Sequence, residues 1–370
     1  MGILVFIIVL SVLIVVHEYG HFAMAKSLGV KVERFAVGFG PKLFSWTSEG
    51  TEFALCLIPL GGYVKMAGDE RSNCKGERDE FYAHSPGHRS LIVLMGPVVN
   101  YVMAYLCFCV VYIIGYPSIA PKVGTLMDDY PAKIAGLEVG DKILRIDALK
   151  MDGWEDIQKY IANSKNSSLE FFILRGNREM TKTVTPVIKS AENIFGQKEN
   201  KRLVGIQPAE EIILLKYDAR EAIGKSFEKI WEITYTTYKA LYRMATGSMS
   251  AKDSMTGPIG IFFIIQKATA MGFSYLLYIV GIISASLAIF NLLPLPVLDG
   301  GHLFLAGIEK IRRRPLSQKI DEVISRVGLS FIICLALFVF YCDFSRLGWI
   351  DKITSAFQKG TPLKVNDIKN

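Results

Sequence analysis

The chain has 370 residues, 51% of them hydrophobic and only 21% charged. Its mean hydropathy of +0.31 is higher than a soluble globular chain of this length usually shows. The net charge of +7 does not indicate nucleic-acid binding, because the basic residues gather beside apolar runs, as in Arg312-Arg313-Arg314, and form no aromatic-interleaved stripe. Long apolar runs alternate with soluble-looking sequence. That pattern predicts an integral membrane protein with one inserted soluble domain. Six cysteines are present without a CxxC pair, so neither a disulfide framework nor a cysteine zinc site is expected.

Residues 1–26 read as a first transmembrane helix, interrupted by Ser11 and by His17-Glu18-Tyr19-Gly20-His21. A cleaved signal peptide is the alternative, and Ala23-Met24-Ala25 mimics its cleavage site. No Lys or Arg precedes Lys26, however, so the basic n-region is missing. Residues 27–89 read as short strands and turns, too apolar for an ordinary loop, around Gly38-Phe39-Gly40-Pro41 and Pro59-Leu60-Gly61-Gly62-Tyr63. Residues 90–115 give a second transmembrane helix with Gly96-Pro97 and Asn100 near its start. A buried Asn there needs a polar partner inside the bundle.

Residues 117–209 look soluble. Strands are predicted over 123–126, 142–146, 169–174 and 180–187, and helices over 131–137 and 154–162. The interval suits one small domain. Residues 210–250 hold an amphipathic helix carrying Ile223, Phe227, Ile230, Ile233 and Tyr238 on one side. Its aromatic and basic content favours the membrane interface over packing on the soluble domain. Residues 251–301 are expected to form the third transmembrane helix and 325–342 the fourth. A basic loop over 302–324 separates them, and a tail over 343–370 ends the chain. With four spans, the two basic loops fall on one side, which the positive-inside rule makes cytoplasmic; the soluble domain then faces outward.

His17-Glu18-Tyr19-Gly20-His21 is an H-E-x-x-H motif on a predicted helix. Positions i and i+4 share a face, so two imidazoles can hold one zinc ion. The adjacent Glu18 can take a proton from zinc-bound water. Two His and one Glu are costly inside a membrane helix without such a purpose. A catalytic zinc site wants a third protein ligand. Asp299 is the candidate, a lone carboxylate after Pro294 and Pro296 and before Gly300-Gly301. Spacing alone leaves it equally able to cap the following helix. His84 and His88 share the i, i+4 spacing, but Pro86-Gly87 lies between them. His302 is too near Asp299 to need a role of its own, except in supporting it.

With these motifs the chain resembles the site-2 protease family of intramembrane zinc metalloproteases, RseP type. Besides the pieces already named, the resemblance rests on Gly257-Pro258-Ile259-Gly260-Ile261 and on Asn291-Leu292-Leu293-Pro294-Leu295-Pro296-Val297-Leu298-Asp299-Gly300-Gly301. They occur in the family's order over nearly the whole chain. The resemblance implies a polytopic α-helical membrane protein with four transmembrane helices, a membrane-reentrant β segment and an inserted α+β PDZ domain. It implies Zn2+ held by His17, His21 and Asp299, with Glu18 as the catalytic base. Asn291 and the Gly38-Phe39-Gly40-Pro41 segment would hold an unwound substrate. The PDZ resemblance rests on Ala135-Gly136-Leu137 and Gly140-Asp141-Lys142-Ile143-Leu144, and implies a groove for a peptide or a free C-terminus. Relatives of this type often carry two PDZ domains, and this chain has room for one. Expected partners are the lipid bilayer and single-pass membrane proteins, namely anti-sigma-factor-like substrates and remnant signal peptides. The expected location is a bacterial inner membrane. Two other classes compete: a metal transporter, which wants further intramembrane acids, and a catalytically silent PDZ-bearing scaffold, which would tolerate loss of Glu18.

Overall fold

The computed structural model describes residues 2–192 and 198–346. The tail predicted over 343–370 lies outside the described residues from position 347 onward. Two compact units emerge. One comprises Met1–Cys109 with Gly224–Asn370, and the other is the insertion Val110–Ile223.

The first unit opens with helix α1 (Gly2–Ser27), followed by long strands β1 (Val32–Ser48) and β2 (Thr51–Met66) and by helix α2 (Pro86–Ile114). Both helices are long and apolar enough to cross a membrane. They meet backbone to backbone. A Cβ added at Gly20 would lie 3.0 Å from Gly96 Cα and closer still to the Met95 carbonyl. Small residues permit that approach in membrane helices, where dispersion replaces the hydrophobic effect as the packing force.

β1 and β2 each bend and pair twice. Residues 44–48 form a hairpin with 51–55. Residues 34–37 pair with 62–65 on one side, and with 52–55 on the other: Ala36 faces both Tyr63 and Ala54. The four strand passes leave two edges, residues 42–48 and residues 62–66. Ala36, Ala54 and Cys56 are buried inside, whereas Phe44, Trp46 and Leu57 are exposed. An apolar surface of that kind suits a lipid or peptide neighbour better than water.

The insertion begins at β3 (Tyr116–Ile119) and β4 (Val123–Leu126), then runs through α3 (Pro131–Ile134), β5 (Lys142–Ile146), β6 (Leu149–Lys150), α4 (Trp154–Asn163), β7 (Leu169–Arg175) and β8 (Arg178–Val184). β9 (Val187–Glu192), β10 (Lys198–Leu203), β11 (Ile206–Pro208) and β12 (Ile212–Leu215) complete it. The largest sheet has the order β6-β5-β7-β8. Val123, Ile143, Ile157, Phe171 and Ile173 form its core. β12 pairs antiparallel with β3, so the chain enters and leaves this unit through one strand pair. The predicted strand over 180–187 divides at Thr185-Pro186, where proline supplies no ladder N–H. The predicted helix over 131–137 shortens to α3, ending before Gly136 at φ +78°.

The first unit resumes with α5 (Ala219–Ala245), α6 (Ala251–Ser254), α7 (Pro258–Met271), α8 (Phe273–Asn291), α9 (Asp299–Arg312) and α10 (Gln318–Arg346). α8 and α10 are the other two spanning candidates among the described residues. The segment expected over 251–301 as one helix is thus several. Gly257-Pro258 starts α7, Gly272 separates α7 from α8, and Pro294 and Pro296 end the spanning run. Val9 and Leu13 of α1 pack with Ile265 and Ala268 of α7 and with Ile279 and Val280 of α8. Leu329, Ile333 and Leu337 of α10 are each more than half exposed, as a lipid-facing helix should be. Asp343 ends that apolar stretch. Its buried carboxylate accepts the N–H groups of Gly257 (2.9 Å), Ile259 (3.0 Å) and Gly260 (3.1 Å), capping α7. A carboxylate at a helix N-terminus meets the positive end of the dipole.

Candidate metal centre

Helical spacing puts His17 and His21 one turn apart on the face of α1 that meets α2, and both are buried. Space for the two rings is made by Gly96. A Cβ there would lie 2.9 Å from His17 Cε1 and collide with the His21 ring. The His21 Nδ1–H donates to the Ile92 carbonyl at 3.0 Å. A carbonyl only accepts, so the hydrogen sits on Nδ1 and Nε2 carries a free lone pair. The His17 Nδ1 faces the Asn100 amide at 3.1 Å.

Asp299 reaches the same point from the far end of the chain. α8 stops at Asn291, and residues 292–298 fold back so that Asp299 is the first residue of α9. Val297 takes φ +76° in this reversal, a left-handed conformation that a β-branched residue seldom adopts and that marks local strain. Gly300 and Gly301 are required by the tightness of the fold-back. A Cβ on Gly301 would lie 2.8 Å from the Leu295 carbonyl carbon, and one on Gly300 would collide with the Leu292 and Leu293 carbonyls.

The donor atoms converge. His17 Nε2 lies 3.2 Å from His21 Nε2 and 3.1 Å from Asp299 Oδ2, while His21 Nε2 lies 3.5 Å from Asp299 Oδ1. Tetrahedral ligands about 2.0–2.1 Å from a zinc ion stand roughly 3.3 Å from one another. The spacing therefore fits zinc, and so does the donor set of two imidazoles and one carboxylate. Asp299 Oδ2 is buried and accepts no hydrogen bond among the described residues. Lone pairs turned toward one another in a buried site call for a cation between them.

Glu18, half-buried, points at the sheet from the neighbouring face of α1. Its carboxylate is within hydrogen-bonding reach of the Val64 backbone. A Cβ at Gly62 would meet Glu18 Cγ at an ordinary 3.4 Å but would press on the Ala36 carbonyl oxygen at 2.9 Å, so glycine there serves the close pairing of the edge strand with its neighbour. A cavity of about 560 Å³ opens here. It is lined by Glu18, Tyr63, Val64, Asn291 and His302 together with the three metal-site residues. Asn291 and the 62–66 strand edge thus line the same cavity.

Gly38-Phe39-Gly40-Pro41 is not among the residues lining that cavity. Gly38 (φ +87°) and Gly40 (φ +90°) turn the chain from the inner strand toward the 42–48 edge. The Phe39 ring stacks on Tyr63, centroids 6.1 Å apart, and Tyr63 does line the cavity. His84 and His88 are separated by the start of α2 at Pro86.

The profile of Peptidase family M50 matches residues 5–335. The chain belongs to this family. A provisionally named zinc metalloprotease of Mesorhizobium japonicum is 32% identical to this M50 member over 91% of the chain and 97% of its own length. A similarly named protein of Campylobacter jejuni is 33% identical over 92% of each chain. Metalloprotease MmpA of Caulobacter vibrioides is 31% identical over 91% of this chain and 94% of its own. The M50 chain is accordingly a zinc metalloprotease and an integral membrane protein. Among solved structures, the PDZ domain of an SdrC-like protein from Listeria innocua covers 25% of the chain at 22% identity. Its TM-score of 0.21 is too low to settle a fold.

Three features escape a reading of the sequence. One is the 62–66 strand edge, because pairing is non-local. Another is Asp343, which belongs to an apolar helix and finds its partners some 85 positions earlier. The third is a buried ion cluster in which Glu309 accepts from both Arg71 and Arg89, with the two guanidiniums over the Tyr82 ring. Charge alone gave no hint of it, since all three residues sit in ordinary-looking basic or amphipathic stretches.

Proposed function

We propose that the protein hydrolyses peptide bonds within or beside the transmembrane segments of single-pass membrane proteins. The observation that carries this reading is the meeting of His17, His21 and Asp299 beside Glu18, with His17, Glu18 and His21 on a helix long and apolar enough to cross a bilayer.

When bound at that triad, zinc supplies a Lewis acid and an acidified water. Glu18 accepts the proton of the attacking water and returns it to the leaving amide nitrogen. A substrate helix shields its own peptide bonds, so the segment to be cut must unwind, and its freed backbone groups need partners inside the membrane. The 62–66 strand edge, which lines the cavity, offers backbone N–H and C=O groups, and the Asn291 amide in the same lining offers a donor and an acceptor. Gly38–Pro41 acts at one remove, through Phe39 against Tyr63.

The reading extends to the rest of the chain. The order of strands and helices in the insertion, with its Ala135-Gly136-Leu137 turn, supports a PDZ-type module that takes an extended peptide or C-terminus. The Lys and Arg residues of the 65–89 and 310–319 segments support, by the positive-inside rule, a cytoplasmic side for those loops in a bacterial inner membrane, with the insertion outside. α5 exposes Phe227, Trp231, Tyr235 and Tyr242, a stripe suited to the membrane interface. Substrates of this class include anti-sigma-factor-like proteins and remnant signal peptides.

The test is cleavage of a tagged single-pass reporter by purified protein in detergent. Cleavage by wild type that stops with a zinc chelator and with Glu18→Gln is the expected result. Cleavage that survives both would refute the reading.

A further inference from the structure

Two imidazoles must turn Nε2 toward the same point, and α2 fixes each of them in a different way. His21 is set by a backbone carbonyl, which leaves its ring no choice of tautomer. His17 is set by a side chain. We propose that Asn100 is a positioning residue which, by accepting the Nδ1–H of His17 with its amide oxygen, commits His17 Nε2 to the metal. This inference rests on the reading of His17 as a zinc ligand.

Asn100 is wholly buried in an apolar helix. Its far amide end, Oδ1 as placed, has no hydrogen-bond partner among the described residues. Its polar tie is the 3.1 Å contact with His17 Nδ1. A buried amide costs free energy in a membrane helix and is retained where it has a purpose. The amide is nearly symmetrical, and turning it over puts the oxygen at the same distance from Nδ1. The choice between the two senses is made by the ring. A metal-bound Nε2 leaves the hydrogen on Nδ1, and only the amide oxygen can receive it. Asn100 is itself pinned. Its backbone carbonyl accepts the hydroxyl of Ser284, also wholly buried, at 2.8 Å, which ties α8 to this turn of α2. Three helices therefore hold one ring: α1 carries it, α2 orients it, and α8 steadies the residue that orients it.

The zinc dissociation constant, measured on the full-length protein in detergent by competition with a chromophoric chelator, tests this. Asn100→Leu should weaken zinc binding by about 10–100-fold. Asn100→Asp, which can only accept, should bind zinc at least as tightly as wild type. A donor role predicts weakening in Asn100→Asp, since a carboxylate cannot donate to Nδ1, and a mere packing role predicts unchanged affinity in Asn100→Leu, which fills a similar volume. Unchanged affinity in Asn100→Leu, or weakening in Asn100→Asp, would overturn the proposal. If Asn100→Leu fails to fold, the Asn100→Asp arm decides alone. His17→Ala separates the two readings: zinc retained there would remove His17 as a ligand, whereas zinc lost there with Asn100→Leu unaffected would remove only Asn100.

Discussion

Glu18 follows His17 directly and precedes His21 by three positions, yet it lies against the 62–66 strand, with Gly62 at van der Waals distance. Under the proposed function, that placement separates metal binding from proton transfer. Glu18→Gln should therefore keep its zinc and lose about 10²–10⁴-fold in turnover, read by metal content and cleavage in one preparation. Gly96 is the complementary case, a residue without a side chain on which the site depends. Gly96→Ala drives a methyl into the two rings and should cost about 1–3 kcal/mol of packing, with zinc affinity falling alongside. A substitution there that left affinity intact would mean the rings have room the structure does not show. The H-E-x-x-H residues and Asp299 were legible in the sequence because chemistry this specific is expensive in a membrane. Gly96 was legible only as a motif letter, since the rings it admits come from another helix.

At the scale of elements, the broken end of α8 matters most. Pro294 and Pro296 stop the helix, Val297 takes the strained turn, and two glycines let α9 start against the fold-back, so Asp299 is delivered to α1. Asn291 is left at the last turn of α8, facing the cavity. Asn291→Ala should retain zinc and lose about 1–3 kcal/mol of substrate or transition-state binding, measured as kcat/KM on a reporter. Loss of zinc instead would make Asn291 a structural cap. The prolines announced this break in the sequence. The 27–89 region announced strands but not their order, because register depends on pairing partners that a single chain does not reveal. Strand and turn signals there do not show that the pass nearest the His17–His21 face is 62–66.

For the whole molecule, a membrane unit and an inserted unit fold around separate cores. Apolar runs long enough to span made the first legible, and turn residues made most strands of the second legible. β9 to β11 escaped because they are short or largely polar, and the apolar β12 because its pairing partner β3 lies far back in the chain. The insertion also has its own electrostatic anchor. Burial pushes the Asp141 carboxyl up, but Arg175 (2.8 Å) and the Glu138 N–H (2.8 Å) outweigh it and hold it below the usual carboxylate range. A carboxyl depressed on folding stabilises at pH values above its unfolded pKa of about 4, and that contribution disappears as pH falls through the lower folded value. The protection factors of the β5 and β7 amides, that is exchange rates corrected for their intrinsic pH dependence, should therefore fall below about pH 4 in wild type. Arg175→Met should remove that dependence and about 2–3 kcal/mol of local stability at neutral pH. An acid response that persisted in Arg175→Met would assign it to another carboxylate.

In the proposed function, residues nearly three hundred positions apart hold one zinc ion for proteolysis. Zinc content and reporter cleavage, measured together on wild type and Asp299→Asn, test it most directly. The account predicts one zinc per chain with cleavage in wild type, and loss of both in Asp299→Asn. Wild type purified without zinc yet still cleaving, or Asp299→Asn retaining metal and activity, would contradict it.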